Sequence, residues 1–336
     1  MIMSRDIVIN GRFLTRRITG VERYGRGVLS HIGGECRVER PVGASSGFRG
    51  HAWEQFILPT KLNAKSVLWS PANTGPLFVS NQALTIHDLS PLEHPEWFRG
   101  IFATWYRLFL PVLAKRVRIV FTPSEHVKQS VISRFQIRNV TVTPNGVDHC
   151  SFTPEAKQEK YDLPSCYILF IGSIEPRKNI NALLRAWNEI KDDFRDTWLI
   201  IAGSGGSVFQ PVKVAQVSER VHFMGYVEDE NLPGLFAGAT LFVLPSLDEG
   251  FGLSVLEAMA CGTPVIVSDG GALPEVMGDA GLIFDLSDPH NLSSLMKQCL
   301  SNYTLRQSMK EKGLARAKLF SWQRTAELIW KTLNEI

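Results

Sequence analysis

The stretch LFVLPSLDEGFGLSVLEAMACGTPVIVSD, residues 241–269, decides the fold. It opens on one apolar run, LFVLPS (241–246), and closes on another, PVIVSD (264–269). Between them lie a loop, LDEGFG, and a helical segment, LSVLEAMACG, stopped by Gly262. Strand, helix and strand in so short a span make a βαβ unit, and such units build parallel sheets. Neither run alternates apolar with polar residues, so both faces of each strand are covered. This reading puts Glu249 at the carboxyl end of a strand and Glu257 about two helical turns further on. Gly250 and Gly252 let backbone amides approach a ligand closely. The helix start at Phe251 and Leu253 adds free N–H groups and the positive end of the dipole. That is the chemistry of a phosphate site flanked by two acceptors, and a carboxylate accepts well from a pair of sugar hydroxyls. The plain alternative is a capped helix bearing two solvent-facing acids.

Working outward, the second half alternates clearly. Apolar runs recur at 167–173, 198–204, 221–226 and 281–285, with helical patterns between several of them. In NINALLRAWNEIKD the apolar positions Ile180, Leu183, Leu184, Trp187 and Ile190 keep helical spacing. The first half repeats the theme less cleanly, with candidate strands at 6–10, 66–70, 83–88, 118–124 and 140–145. Its candidate helices follow Gly20, run through 97–115 and start at Ser124. The polar segment 146–164 reads as a linker, and 321–336 as a last helix with a serine cap. The expectation is a doubly wound α/β chain: an N-terminal domain over 1–160, a second over 161–320, and the last helix over 321–336.

The chain has 336 residues, 44% hydrophobic and 21% charged, which suits a two-domain globular protein. No run approaches the ~18 apolar residues of a membrane span, and the N-terminus has neither the apolar core nor the cleavage site of a leader. The five cysteines (36, 150, 166, 261, 299) form no CxxC pair. Neither a disulfide framework nor a zinc site is expected, and a reducing cytoplasm fits. The net charge of +3 is uneven, with 1–162 at +8 and 163–336 at −5. A basic front half suits an anionic partner such as phosphate or a lipid surface, or is a set of solvated faces. Without a nucleic-acid motif it gives no case for nucleic-acid binding. The glycine-rich AGSGGS (202–207) is not G-x-G-x-x-G, and no such fingerprint opens a helix after the first strand, which argues against a dinucleotide-dependent dehydrogenase.

The segment from Gly225 to Ser268, with its two glutamates eight positions apart, resembles the signature region of retaining glycosyltransferases of family 4, which have the GT-B fold. FIGSIEPRKN (170–179) resembles that family's donor-phosphate strand and loop, and RITGVERYGRGVL (17–29) its N-terminal glycine loop and first helix. TIHDL (85–89), FTPSEHVKQSV (121–131) and TPNGVD (143–148) also fit, so the resemblance runs nearly end to end. It implies two Rossmann-like domains facing a cleft, with the last helix crossing back to the N-terminal domain. It implies a nucleotide diphosphate sugar as donor and transfer with retention, without an obligatory metal or other cofactor. Glu249 is expected to bind sugar hydroxyls and Glu257 the ribose.

Other residues take expected roles within that resemblance. Arg177 and Lys178 follow a strand and a turn, with Gly172 at the strand's end. Two adjacent cations there can neutralise a diphosphate leaving group, or belong to a solvated loop. His87 points at the donor sugar or the acceptor in the family, with Asp88 read as orienting its ring; a lone histidine is otherwise more often structural. Gly20 permits a tight turn before a helix whose N-terminus meets the donor phosphate. The stretch 94–116 is aromatic and basic, with Trp97, Ile101 and Trp105 on one stripe. It is either a core helix or a helix lying on lipid headgroups at the inner face of the cytoplasmic membrane. The acceptor is expected to be a lipid-linked O-antigen or exopolysaccharide glycan. GDP-mannose is the first expectation for the donor, dTDP-rhamnose and UDP-sugars remaining open. The competing reading is a non-catalytic nucleotide-sugar or anionic-glycan binder on the same fold.

Overall fold

The computed structural model describes residues 5–43, 47–206, 208–214 and 217–336. The start of the N-terminal stretch (1–4) and Ser207 of the glycine-rich run lie outside the described residues. The chain divides into two compact units. The first holds Met1–Glu93, Ile101–Gly146 and Ser321–Ile336, and the second His94–Gly100 and Val147–Phe320.

The first unit is built on β1 (Asp6–Asn10), β2 (Cys36–Glu39), β3 (Ser66–Ser70), β4 (Gln82–Thr85), β5 (Ile119–Thr122) and β6 (Val140–Val142). They form one sheet in the order β2-β1-β3-β4-β5-β6, every pair parallel. Central β3 is buried along its length, as a strand covered on both faces requires. Sequence reading missed β2: CRVE is a half-buried edge strand, with charged Arg37 and Glu39, so no apolar run marks it.

The last helix, Trp322–Glu335, belongs to this unit. Ser321 caps it, accepting from the Arg324 amide at 3.2 Å, and Trp322, Ala326, Ile329 and Leu333 face inward. It packs on the helix Gly20–Leu29, where Trp322 meets Tyr24 edge-on with ring centroids 6.1 Å apart. Gly27 leaves the room: a Cβ there would strike the Trp322 ring. Thr325 ties the helix down, donating to the Pro144 carbonyl at 2.5 Å.

The second unit holds β7 (Tyr167–Ile171), β8 (Trp198–Ala202), β9 (Val221–Gly225), β10 (Leu241–Leu244), β11 (Val265–Ser268) and β12 (Leu282–Phe284). Their order is β12-β11-β10-β7-β8-β9, again all parallel. The chain-order reversal between β7 and β10 is the topological switch point at which parallel sheets bind ligands. β10 and β11 are buried throughout, and their carboxyl ends carry the loops described below. Each of the eleven apolar runs singled out in the sequence holds a strand.

One expected element is corrected. The stretch 97–115 is not one helix, because Pro95–Trp97 is a separate 3-10 turn and the helix runs Gly100–Arg116. The residues before it belong to the second unit. There Phe98 bridges Phe209, the Arg99 amide donates to the Val208 carbonyl at 2.9 Å, and the Gln210 amide donates to the Trp97 carbonyl at 2.8 Å. Trp97 is buried and stacked on His94, whereas Ile101 is exposed, so the two share no stripe.

Candidate functional site

In the second unit the loop after β10 and the turn after β7 meet. Glu249 is 5% exposed, so its charge must be matched. Arg177 Nη1 donates to Glu249 Oε2 at 2.6 Å, Lys178 Nζ donates to Oε1, and Ser246 Oγ donates to the same Oε1 at 2.8 Å. Burial alone would push the carboxyl pKa up; Arg177 and Lys178 outweigh it and hold it at about 2. Glu249 is therefore an anion at any physiological pH.

The cations are themselves positioned. Pro176–Lys178 is a single 3-10 turn, and Asn179 follows it in the left-handed region at φ 50°. Glu175, almost fully buried, accepts from Arg177 Nε at 3.0 Å and sits 2.9 Å from Nη2. Burial raises the Glu175 pKa, partly offset by Arg177 and Lys178. The Leu247 amide donates to the Arg177 carbonyl at 2.8 Å, fixing the two loops together.

The glycines sort by whether the backbone needs them. Gly252 sits at φ 91° as the residue before the helix Leu253–Ala260, and a Cβ there would strike Leu273. At Gly172 a Cβ would find ordinary contacts, the nearest being Phe170 at 3.4 Å. The demanding neighbour is Gly203, at φ 145°, whose Cβ would run into the Gly172 carbonyl. Gly271, at φ 63°, lies directly against the Glu249 backbone. The Ala272 amide donates to the Glu249 carbonyl at 2.8 Å. Sequence reasoning missed Gly203, Gly271, Ser246 and Glu175. The pair Gly270-Gly271 directly after an apolar strand was the available signal.

Gly250 lies in this same loop, and Glu257 is buried in the helix that follows. Leu253 is half-buried at the helix start. The Phe251 side chain turns into the core, its ring edge-on to Phe320 at 5.9 Å, so only its backbone is left to meet a ligand. Glu249, Arg177, Lys178, Gly172, Gly250, Phe251, Gly252, Leu253 and Glu257 thus all lie in the second unit, most of them at the carboxyl ends of β7 and β10.

His87 and Gly20 belong to the first unit. His87 is 7% exposed, its Nε2 donating to the Pro71 carbonyl at 2.7 Å, which leaves Nδ1 as the acceptor of a neutral ring. Burial lowers its pKa. The ring stands edge-on to Tyr24 at 4.7 Å. Asp88 does not fix the ring by a hydrogen bond; its Oδ1 accepts from the Ser90 amide at 3.0 Å. Gly20 opens its helix after Thr19, and Glu22 reaches back to accept from the Thr19 amide at 3.2 Å. Gly20 has no left-handed φ, and a Cβ there would meet open space, so the tight-turn reason for this glycine falls away and its openness remains.

Residues 152–316 match the model of glycosyl transferases group 1, and residues 79–150 that of glycosyltransferase family 4. The chain belongs to this glycosyltransferase family. Over 252 residues it is 35% identical to O-antigen chain mannosyltransferase B of Escherichia coli, covering 71% of this chain and 66% of that one. Over 250 residues it is 30% identical to O-antigen chain mannosyltransferase RfbU of Salmonella typhimurium, covering 73% and 68%. The chain thus spans about two thirds of the length of these curated relatives. Its architecture is GT-B: the structure of HepE from Anabaena in complex with UDP-glucose matches at TM-score 0.76 and 16% identity, covering 99% of this chain and all of that one. Among the described residues no helix is long and apolar enough to cross a membrane.

Proposed function

We propose that this family member transfers mannose from GDP-mannose, with retention of configuration, to a hydroxyl of an O-antigen-type glycan. The observation that carries the reading is the buried Glu249 held by Arg177 and Lys178 beside the helix start at Leu253. The names of the relatives supply the sugar and the acceptor class. A nucleotide diphosphate brings its own negative charges. On binding it draws Arg177 and Lys178 onto the phosphates and releases Glu249 to accept from sugar hydroxyls. The bond between the sugar's anomeric carbon and the phosphate oxygen then breaks. The acceptor oxygen bonds to that carbon on the same face, and its proton passes to the leaving phosphate. The two cations stabilise the charge that develops there. Glu257 takes the ribose hydroxyls, His87 Nδ1 accepts from a sugar or acceptor hydroxyl, and the acceptor is lipid-linked.

The test is thermal unfolding of the chain with GDP, UDP, dTDP and ADP. A ligand bound only by the folded state raises the midpoint with its concentration. The expected result is that GDP stands out and that Arg177→Ala with Lys178→Ala removes the response. No response to any nucleotide, or an undiminished one in the double variant, refutes the assignment.

A further inference from the structure

The first unit carries a buried cation that the transfer reading does not use. Arg12 follows β1 in the turn Gly11–Thr15 and is 3% exposed. Its Nη1 donates to Glu54 Oε2 at 2.9 Å and Thr74 Oγ1 at 3.2 Å, and lies 3.1 Å from His51 Nδ1. Glu54 is held in turn by Asn10 Nδ2 at 2.7 Å and Thr74 Oγ1 at 3.0 Å. That end of the guanidinium is satisfied. The other edge is not: Nε and Nη2 are both buried and have no hydrogen-bond partner among the described residues. Those two N–H groups lie side by side on the fork and match two oxygens of one phosphate or carboxylate group. Buried donors are rarely left unmatched in folded proteins.

Arg12 lines a narrow crevice with Asn10, Arg16, Glu54, Ala72 and Thr74 among its walls; as it stands the crevice is too tight to hold a water molecule, so an anion reaches Arg12 only when a wall moves. Arg16 is its movable wall, since its ion pair with Glu22 is loose at 3.9 Å. The two guanidiniums repel each other: burial lowers the Arg12 pKa most, Glu54 opposes this, and Arg16 lowers it further. Burial likewise lowers the His51 pKa, so that ring adds no charge at neutral pH. A negative group entering beside Arg16 would meet two cations, one with its donor edge unused. The pocket lies at the carboxyl ends of β1 and β3, the end of a parallel sheet at which ligands bind.

We propose that Arg12 and Arg16 form an oxyanion subsite on the first unit, taking a phosphate or carboxylate group. That this group belongs to the glycan acceptor rests on the transferase reading; the binding of the anion does not. The experiment therefore uses the full chain with Arg177→Ala and Lys178→Ala in place, which removes the cation pair of the second unit. Inorganic phosphate and acetate are titrated against chloride of matched ionic strength, reading the unfolding midpoint. One of the two anions is expected to raise the midpoint saturably, and which one does so separates a phosphate from a carboxylate ligand. Arg16→Gln, which leaves the Arg12–Glu54 pair intact, is expected to weaken that binding about tenfold, and Arg12→Lys, which keeps a charge for Glu54 but loses the fork, to do the same. No shift beyond chloride with either anion, or titrations unchanged in both variants, overturns the subsite. The nucleotide responses above can fail while these titrations stand, so the two readings fail separately.

Discussion

At Glu249 burial and charge pull in opposite directions, and the two cations win. The folded pKa of about 2 lies below the ordinary 4.5, so the ionised group contributes stability above that ordinary value. The contribution is lost as pH falls from 4.5 towards about 2. Glu175 has the opposite sign: its pKa is raised, so its burial costs stability at neutral pH and the cost vanishes on acidification. Glu249→Gln should therefore flatten the acid limb of a stability-against-pH curve. It should also cut kcat by about 10²–10³-fold, the scale seen when a single polar group that stabilises a transition state is removed. An unchanged acid limb with normal turnover would take Glu249 out of the site. Gly271 and Gly20 make a second pair of opposites. Gly271→Ala forces a side chain at φ 63° into the Glu249 backbone and should cost at least about 1–3 kcal/mol, read as a fall in Tm. Gly20→Ala meets open space and should leave Tm in place while raising KM for the donor. Equal Tm values for the two variants would show that neither position is conformationally constrained. The sequence exposed Glu249, Arg177 and Lys178 because charge beside glycine after an apolar strand is visible in one dimension. Ser246 and Glu175 matter through contacts made by folding, and no spacing rule announces them; Gly271 had only the Gly270-Gly271 pair after an apolar strand to mark it.

Among the elements, strands were legible where an apolar run marks them, even at half-buried β9, and illegible at β2, which has no such run. β3, β10 and β11 read directly from their apolar runs, whereas half-buried edge strand β2 carries the charged Arg37 and Glu39 in place of an apolar run. The helix Gly100–Arg116 was legible in type but not at its start, because aromatic residues continue upstream through Trp97 without helical geometry. Its two faces explain why core and lipid readings competed. Ala103, Tyr106, Leu110 and Leu113 are buried, while Ile101, Leu108 and Val112 are exposed beside Arg107, Lys115 and Arg116. An exposed apolar stripe next to cations is the composition of an interfacial helix. The full chain should therefore co-sediment with vesicles containing anionic lipid, and Ile101→Ser with Leu108→Ser should release it without lowering Tm. Equal sedimentation of parent and variant would remove this helix from the membrane.

For the whole molecule, the order of the chain does not follow the order of the units. It leaves the first unit after Glu93, returns at Ile101, leaves again after Gly146 and returns at Ser321. Each unit is thus completed by a segment distant in sequence. His94–Gly100 pairs with the Val208–Gln210 stretch in the second unit, and Trp322–Glu335 packs on the Gly20–Leu29 helix in the first. A protease cut within the half-exposed stretch 155–160 should leave two fragments that co-elute on size exclusion until denaturant is added. Separation in plain buffer would mean that these segments contribute little. No single cut in the reading frame separates the two units with each left whole. A fragment from Val147 to Phe320 lacks the seven residues that cap its Phe209 side, and one ending at Gly146 leaves Tyr24 and Gly27 without the tryptophan they enclose. Dissection of the chain into its two units would therefore need three splice junctions beyond the obvious one.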